Sequence, residues 1–161
     1  MTAKVVQPGK GSTYLLLGDF YTFLATGKDT GGTYGLVEMV MQPQSVVPPH
    51  NHYQADEAHY IIEGEIEYQL EDQTIIATSG MYLQFPKGDN HGFKNIGSKP
   101  AKILVWATPS GPELFFAEVG QPVNLPLTEE EKSSLLTPPN PADLEKAIEI
   151  ATTKYAVKFI L

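Results

Sequence analysis

The chain has 161 residues and a formal charge of −8, from nineteen acidic and eleven basic side chains. This length gives one domain able to bury its own core, and 42% hydrophobic against 19% charged residues excludes a disordered chain. Every cation is a lysine and cysteine is absent, which excludes a basic field for nucleic acid, an arginine clamp for phosphate or carboxylate, a disulfide and a thiolate metal site.

Residues 1–13 are polar and read as a loose arm. The opening Met-Thr-Ala-Lys-Val-Val-Gln-Pro-Gly breaks before an apolar signal region forms, and no run approaches the roughly 18 apolar residues of a membrane helix. A cytoplasmic protein with no membrane contact is expected. Residues 14–25 are apolar and aromatic and predict one or two strands. Residues 28–33 (Lys-Asp-Thr-Gly-Gly-Thr) predict a turn into a strand over 34–41. Residues 42–49 carry three prolines and predict an irregular connection.

From residue 50 to 108 short strands recur. They are expected at 58–62, 65–70, 74–78, 82–85 and 103–108, with turns between them. Strands of four to seven residues broken this often indicate an antiparallel sandwich or barrel. The pattern changes at residues 109–112 (Pro-Ser-Gly-Pro). Thr128 with Glu131 forms a capping box for a short helix to about Leu136. Asn140-Pro141 starts a helix to about Tyr155, burying Leu144, Ala147, Ile148 and Ala151, and a last strand is expected over 157–161. Residues 1–111 therefore read as an all-β unit, and 112–161 as an extension with one or two helices packed on it or on a second subunit.

The four histidines are not scattered. His50 and His52 are two apart, so on a strand they share a face. Glu57 opens the next apolar run, and His91 follows a turn at residues 86–90 that can return a strand beside the first pair. Three imidazoles and a carboxylate make a mixed nitrogen and oxygen site for one divalent transition metal: Fe, Mn, Ni, Cu or Zn rather than Ca or Mg. His59 lies two after Glu57 and shares its face, as a proton relay or a neutral wall of the pocket. Phe93 shares the parity of His91. Phe85 and Trp106 are further candidates for the substrate pocket, with plain core packing as their other role.

The spacing His50-x-His52, Glu57, Gly64 resembles the first motif of the cupin superfamily. Gly80, Pro86-x-Gly88, His91 and Asn95 resemble the second. The first motif departs at one point: Gln44 stands where the family has a turn glycine. The two motifs span 50–95. Residues 109–120 and Lys154-Tyr155 resemble the region after the barrel in small quercetinase-like cupins. The resemblance implies a jelly-roll (double-stranded β-helix) barrel with a short helical C-terminal extension. It also implies a metal held by His50, His52, Glu57 and His91, with Glu57 as general base; where His59 stands, cupins of this type usually have an apolar or aromatic residue. The implied activity is a dioxygenase using O₂ on a flavonol- or enol-type small molecule. The alternatives are a metal-dependent isomerase or lyase of a small oxo-acid or enol, and a non-catalytic binding module. A homodimer is expected, since unpaired sheet edges need covering.

Overall fold

Alternation of apolar and polar side chains sets the architecture. In Gly35–Met41 every second residue is buried, so Val37, Met39 and Met41 face inward while Glu38 faces out. The computed structural model describes residues 2–160. Met1, which begins the expected arm, and Leu161, which ends the expected last strand, lie outside the described residues.

Chain order runs β1 (Thr13–Leu16), β2 (Asp19–Ala25), α1 (Gly27–Thr30), β3 (Gly35–Met41), β4 (Val46–His52), β5 (Asp56–Glu63), β6 (Glu65–Leu70), β7 (Thr74–Thr78), β8 (Tyr82–Phe85), β9 (His91–Asn95) and β10 (Ala101–Thr108). The extension adds α2 (Leu114–Val119), β11 (Gln121–Val123), α3 (Glu129–Leu135), α4 (Pro141–Lys154) and β12 (Val157–Phe159). One sheet has the order β11-β1-β2-β3-β10-β5-β8 and the other β12-β4-β9-β6-β7. Every pairing is antiparallel, and the two sheets enclose one core in the jelly-roll manner. Met41, Ile61, Ile66, Tyr68 and Ile103 are fully buried in it. Among the described residues no helix is long and apolar enough to cross a membrane.

Residues 42–49 are not simply a connection. From Val46 onward they form the first part of β4, prolines included. Pro48 and Pro49 fall where the β4–β9 register shifts, between Val47 and His50. A bulge leaves the missing N–H groups of proline without a ladder partner to disappoint. The expected turn at 28–33 contains the short helix α1, whose Thr26 and Asp29 cap each other. Gln44 adopts φ 66°, the left-handed conformation that favours glycine. At Gly64, φ is 105° and a Cβ would lie 2.5 Å from that of Ala101, so both conformation and space require glycine.

The extension is woven into both sheets. β11 pairs with β1, and β12 pairs with β4 in the register Val157 to His52 and Phe159 to His50. α3 has the expected capping box and α4 the expected Asn140 cap. α4 buries Ala147 and Ala151, while Leu144 and Ile148 are half-buried against a cavity described below.

Candidate metal centre

Three strands from two sheets build the site. β4 and β9 are neighbours, with His50 directly opposite His91. His52 follows on the same face of β4. From the other sheet, β5 presents Glu57 and His59. One ligand atom from each of His50, His52, Glu57 and His91 lies within 4.8 Å of the others. The group can hold a metal ion.

Hydrogen bonds aim these donors. His50 Nδ1–H donates to the Pro48 carbonyl at 2.8 Å, and His91 Nδ1–H to the Asp89 carbonyl at 3.1 Å. Each bond fixes the ring and turns an Nε2 lone pair toward the centre, as ligating histidines require. His91 Nε2 is buried, 3.6 Å from Glu57 Oε2, and has no hydrogen-bond partner. An unpartnered buried ring nitrogen is costly unless something binds it, and a cation among three imidazoles and a carboxylate would.

Glu57 is the hub. Its Oε2 lies 2.6 Å from His52 Nε2, and its Oε1 accepts from His59 Nε2 at 2.6 Å. His59 Nδ1 in turn accepts from the Tyr68 hydroxyl at 2.8 Å. His59 and Tyr68 are fully buried. Burial works to raise the Glu57 pKa, yet the His52 charge and the His52 and His59 hydrogen bonds hold it well below the carboxylate range. Burial opposes protonation of His52, but Glu57 outweighs it and raises that pKa. Burial lowers His59, and with the neighbouring His91 it pushes His50 down to about 3. Neutral imidazoles at His50 and His59 suit ligation and hydrogen bonding respectively.

Beside the group lies a cavity of about 150 Å³. Met39, Phe93 and Val105 wall it, and Phe115, Phe116 and Ile148 from α2 and α4 roof it. Of the three aromatic pocket candidates, Phe93 lines this cavity. Phe85 does not: it is buried behind the site, stacked on His91 with centroids 4.0 Å apart and planes at 11°. Trp106 faces the other way. Val105 and Ala107 point into the cavity, so strand alternation places Trp106 on the outer face, 5.8 Å from Tyr82. Sequence reasoning missed Tyr21, Tyr68 and the roof. For Tyr68 a signal exists in the alternation Glu65-Ile66-Glu67-Tyr68, which puts it inward beside Ile66.

Residues 37–107, which hold all four donors, match the cupin domain family Cupin_2. They mark a cupin domain within this chain. The polyketide synthase CurC of Streptomyces cyaneus is 29% identical over 97 residues, 60% of this chain and 62% of that protein. Quercetin 2,3-dioxygenase of Bacillus subtilis (strain 168) is 22% identical over 118 residues, 73% of this chain and 35% of that one. The chain thus spans less than two thirds of either curated relative. Among solved structures, the polyketide cyclase RemF from Streptomyces resistomycificus superposes with a TM-score of 0.61 at 22% identity. That match covers 83% of this chain and 94% of RemF, and shows a shared fold.

Proposed function

We propose that this chain is a metal-dependent dioxygenase acting on a small enol- or flavonol-type molecule. The observation that carries the reading is Glu57, whose Oε2 faces the converging histidines while its Oε1 is held by His59 at the side of an apolar cavity. The metal would be Fe, Mn, Ni, Cu or Zn, held by His50, His52, Glu57 and His91. When bound it supplies a Lewis acid that acidifies a substrate hydroxyl, and the open positions that oxygen chemistry needs. The distant likeness to quercetin 2,3-dioxygenase supports the oxidative reading.

The chain's own residues do the rest. His59 ties down Oε1, while Oε2, the oxygen toward the histidines, would bind the metal in one state and swing off it to receive the substrate's hydroxyl proton in another. Tyr68 fixes the His59 tautomer by donating to Nδ1, which leaves the proton on Nε2. Phe93, Val105 and the helical roof keep water from the deprotonated substrate. The partner is a small molecule with O₂, and a second copy of this chain is the proposed protein partner. The exposed Tyr60 and Tyr82 on the outer sheet face give that copy an apolar surface.

A second reading has its own support. The closed chain Tyr68–His59–Glu57 is a proton path that oxygenation does not require, and it suits an O₂-independent isomerase or lyase of an enol or oxo-acid. Oxygen-electrode assays of Fe-, Mn-, Ni- and Cu-loaded protein with a panel of enols and flavonols separate the two. Substrate-dependent O₂ uptake is expected. Deuterium exchange into substrate under anaerobic conditions, with no O₂ use, would replace the first reading by the second, and neither result would leave a binding module.

A further inference from the structure

Beyond the metal group, polar side chains reach the cavity from Asp19, Tyr21, Glu113 and Tyr155. Three of them are occupied by the protein itself. Asp19 accepts from the Gln42 backbone N–H at 2.8 Å and the Ser45 hydroxyl at 2.6 Å. Glu113 accepts from the backbone N–H groups of Gly27 at 3.0 Å and Gly111 at 2.6 Å. The Tyr155 hydroxyl donates to Glu118. Tyr21 is different. Its ring is only 7% exposed and stacks on Phe116, with centroids 4.0 Å apart and planes at 13°. Its hydroxyl has no hydrogen-bond partner among the described residues, although it lines the cavity. A hydroxyl without a protein partner that opens into a cavity wall is a position for a ligand acceptor.

The rest of the cavity narrows what that ligand is. At about 150 Å³ it matches the size of engineered apolar cavities that admit one benzene ring, and falls short of the several hundred Å³ common for larger ligands. No lysine lines it and the chain has no arginine, whereas Asp19 and Glu113 do line it. A carboxylate or phosphate at the end away from the metal would meet like charge and no counter-ion. Burial, and then the charges of Asp19 and Glu57, raise the Tyr21 pKa, so the group enters any encounter as a donor.

We propose that Tyr21 is the specificity residue of this site, donating its O–H to an oxygen acceptor on a neutral, single-ring enol or phenol whose own hydroxyl lies at Glu57. The proposal rests on the enol or phenol reading of the metal group, and narrows it from flavonol-sized molecules to one ring. It predicts discrimination by the substituent opposite the hydroxyl.

Three phenols of the same size test it: 4-hydroxyacetophenone, which carries an acceptor, 4-isopropylphenol, which lacks one, and 4-hydroxybenzoate, which is charged. Binding to zinc-loaded wild-type and Tyr21→Phe protein is measured by calorimetry, which needs neither turnover nor O₂. Wild type should prefer 4-hydroxyacetophenone to 4-isopropylphenol, with 4-hydroxybenzoate weakest. In Tyr21→Phe the preference should shrink about tenfold, the value of one hydrogen bond. The difference in phenol acidity cancels between the two proteins. An unchanged affinity for 4-isopropylphenol shows that the cavity is intact, and Tyr21→Leu replaces the phenylalanine variant if that one does not fold. A preference that survives both substitutions, benzoate binding as tight as the ketone, or no binding of any probe to wild type overturns the proposal. Oxygen uptake that fails while this ranking holds sinks only the oxygenase reading, and uptake indifferent to Tyr21 sinks only the specificity assignment.

Discussion

Tyr68→Phe removes one oxygen, the hydroxyl that donates to His59 Nδ1 at 2.8 Å between two fully buried rings. The phenylalanine ring keeps the stacking on Phe93, centroids 5.2 Å apart, and on Phe85 at 5.9 Å. His59 cannot easily move its proton to Nδ1, because its Nε2–H is held by Glu57 at 2.6 Å. The substitution therefore leaves a buried acceptor unpaired, at about 1–3 kcal/mol. For a chain of this size each kcal/mol lowers Tm by about 2–4 °C. His59→Phe orphans the Tyr68 hydroxyl and also frees Glu57 Oε1, so it should cost at least as much. The double variant removes both ends of the Tyr68–His59 bond. Its cost should fall short of the summed single costs by about 1–3 kcal/mol, since the loss at Glu57 is common to both arms of the cycle. Urea unfolding followed by circular dichroism reads all four proteins. Additivity within about 0.5 kcal/mol, or a neutral Tyr68→Phe, would refute a hydrogen-bonded chain behind Glu57.

Alanine at His50, His52 or His91 should sharply lower metal content while leaving the fold intact, and any variant that keeps full content by elemental analysis drops out of the ligand set. Glu57→Gln should nearly abolish turnover even after correction for metal content, because an amide does not take up the substrate's proton; wild-type rates per metal would end its role as base. Stability of chelator-treated protein should fall as pH drops below about 6.5. The unfolded chain takes up a proton there that folded His50, held to about 3, refuses, at about 1.4 kcal/mol per pH unit. Lowered His59 adds to this loss, while raised His52 and Asp19, which burial raises to about 6, work against it, so an unfolding profile that rises from pH 7 to 5 would contradict the assigned environments. Gln44→Gly should stabilise the protein by up to about 1 kcal/mol, since it relieves a left-handed glutamine at the expense of a more flexible unfolded chain; a loss of stability would show that the side chain has gained a compensating contact.

The sequence was most legible where chemistry and geometry are local. The parity of His50 and His52, the turn before His91 and the capping of α3 and α4 all depend on residues a few positions apart. Legibility failed where a partner far along the chain decides. Prolines 48 and 49 argue against a strand, yet β4 is completed by β9 on one side and β12 on the other, and the bulge absorbs the missing donors. Trp106 reads equally as a pocket wall or a core residue, but its place in β10, one residue off from Val105 and Ala107, turns it outward. Tyr21 carries no motif at all. Only the packing of β2 against α2 turns an ordinary strand tyrosine into an unpaired donor in a cavity.

The docking of β12 along β4 ties two equilibria together. Phe159 pairs with His50 and Val157 with His52, so the strand that carries two donors is itself held in place by the segment that follows the roof helix α4. If ion binding and tail docking favour each other, they must do so by the same factor in both directions. An ion seated on the histidines would then clamp the tail, and the roof could lift to admit a reactant only at some expense in grip on the ion. Peptide segments of the tail should accordingly resist hydrogen exchange more strongly in metal-loaded protein. A ligand that closes the roof should in turn slow the escape of the ion.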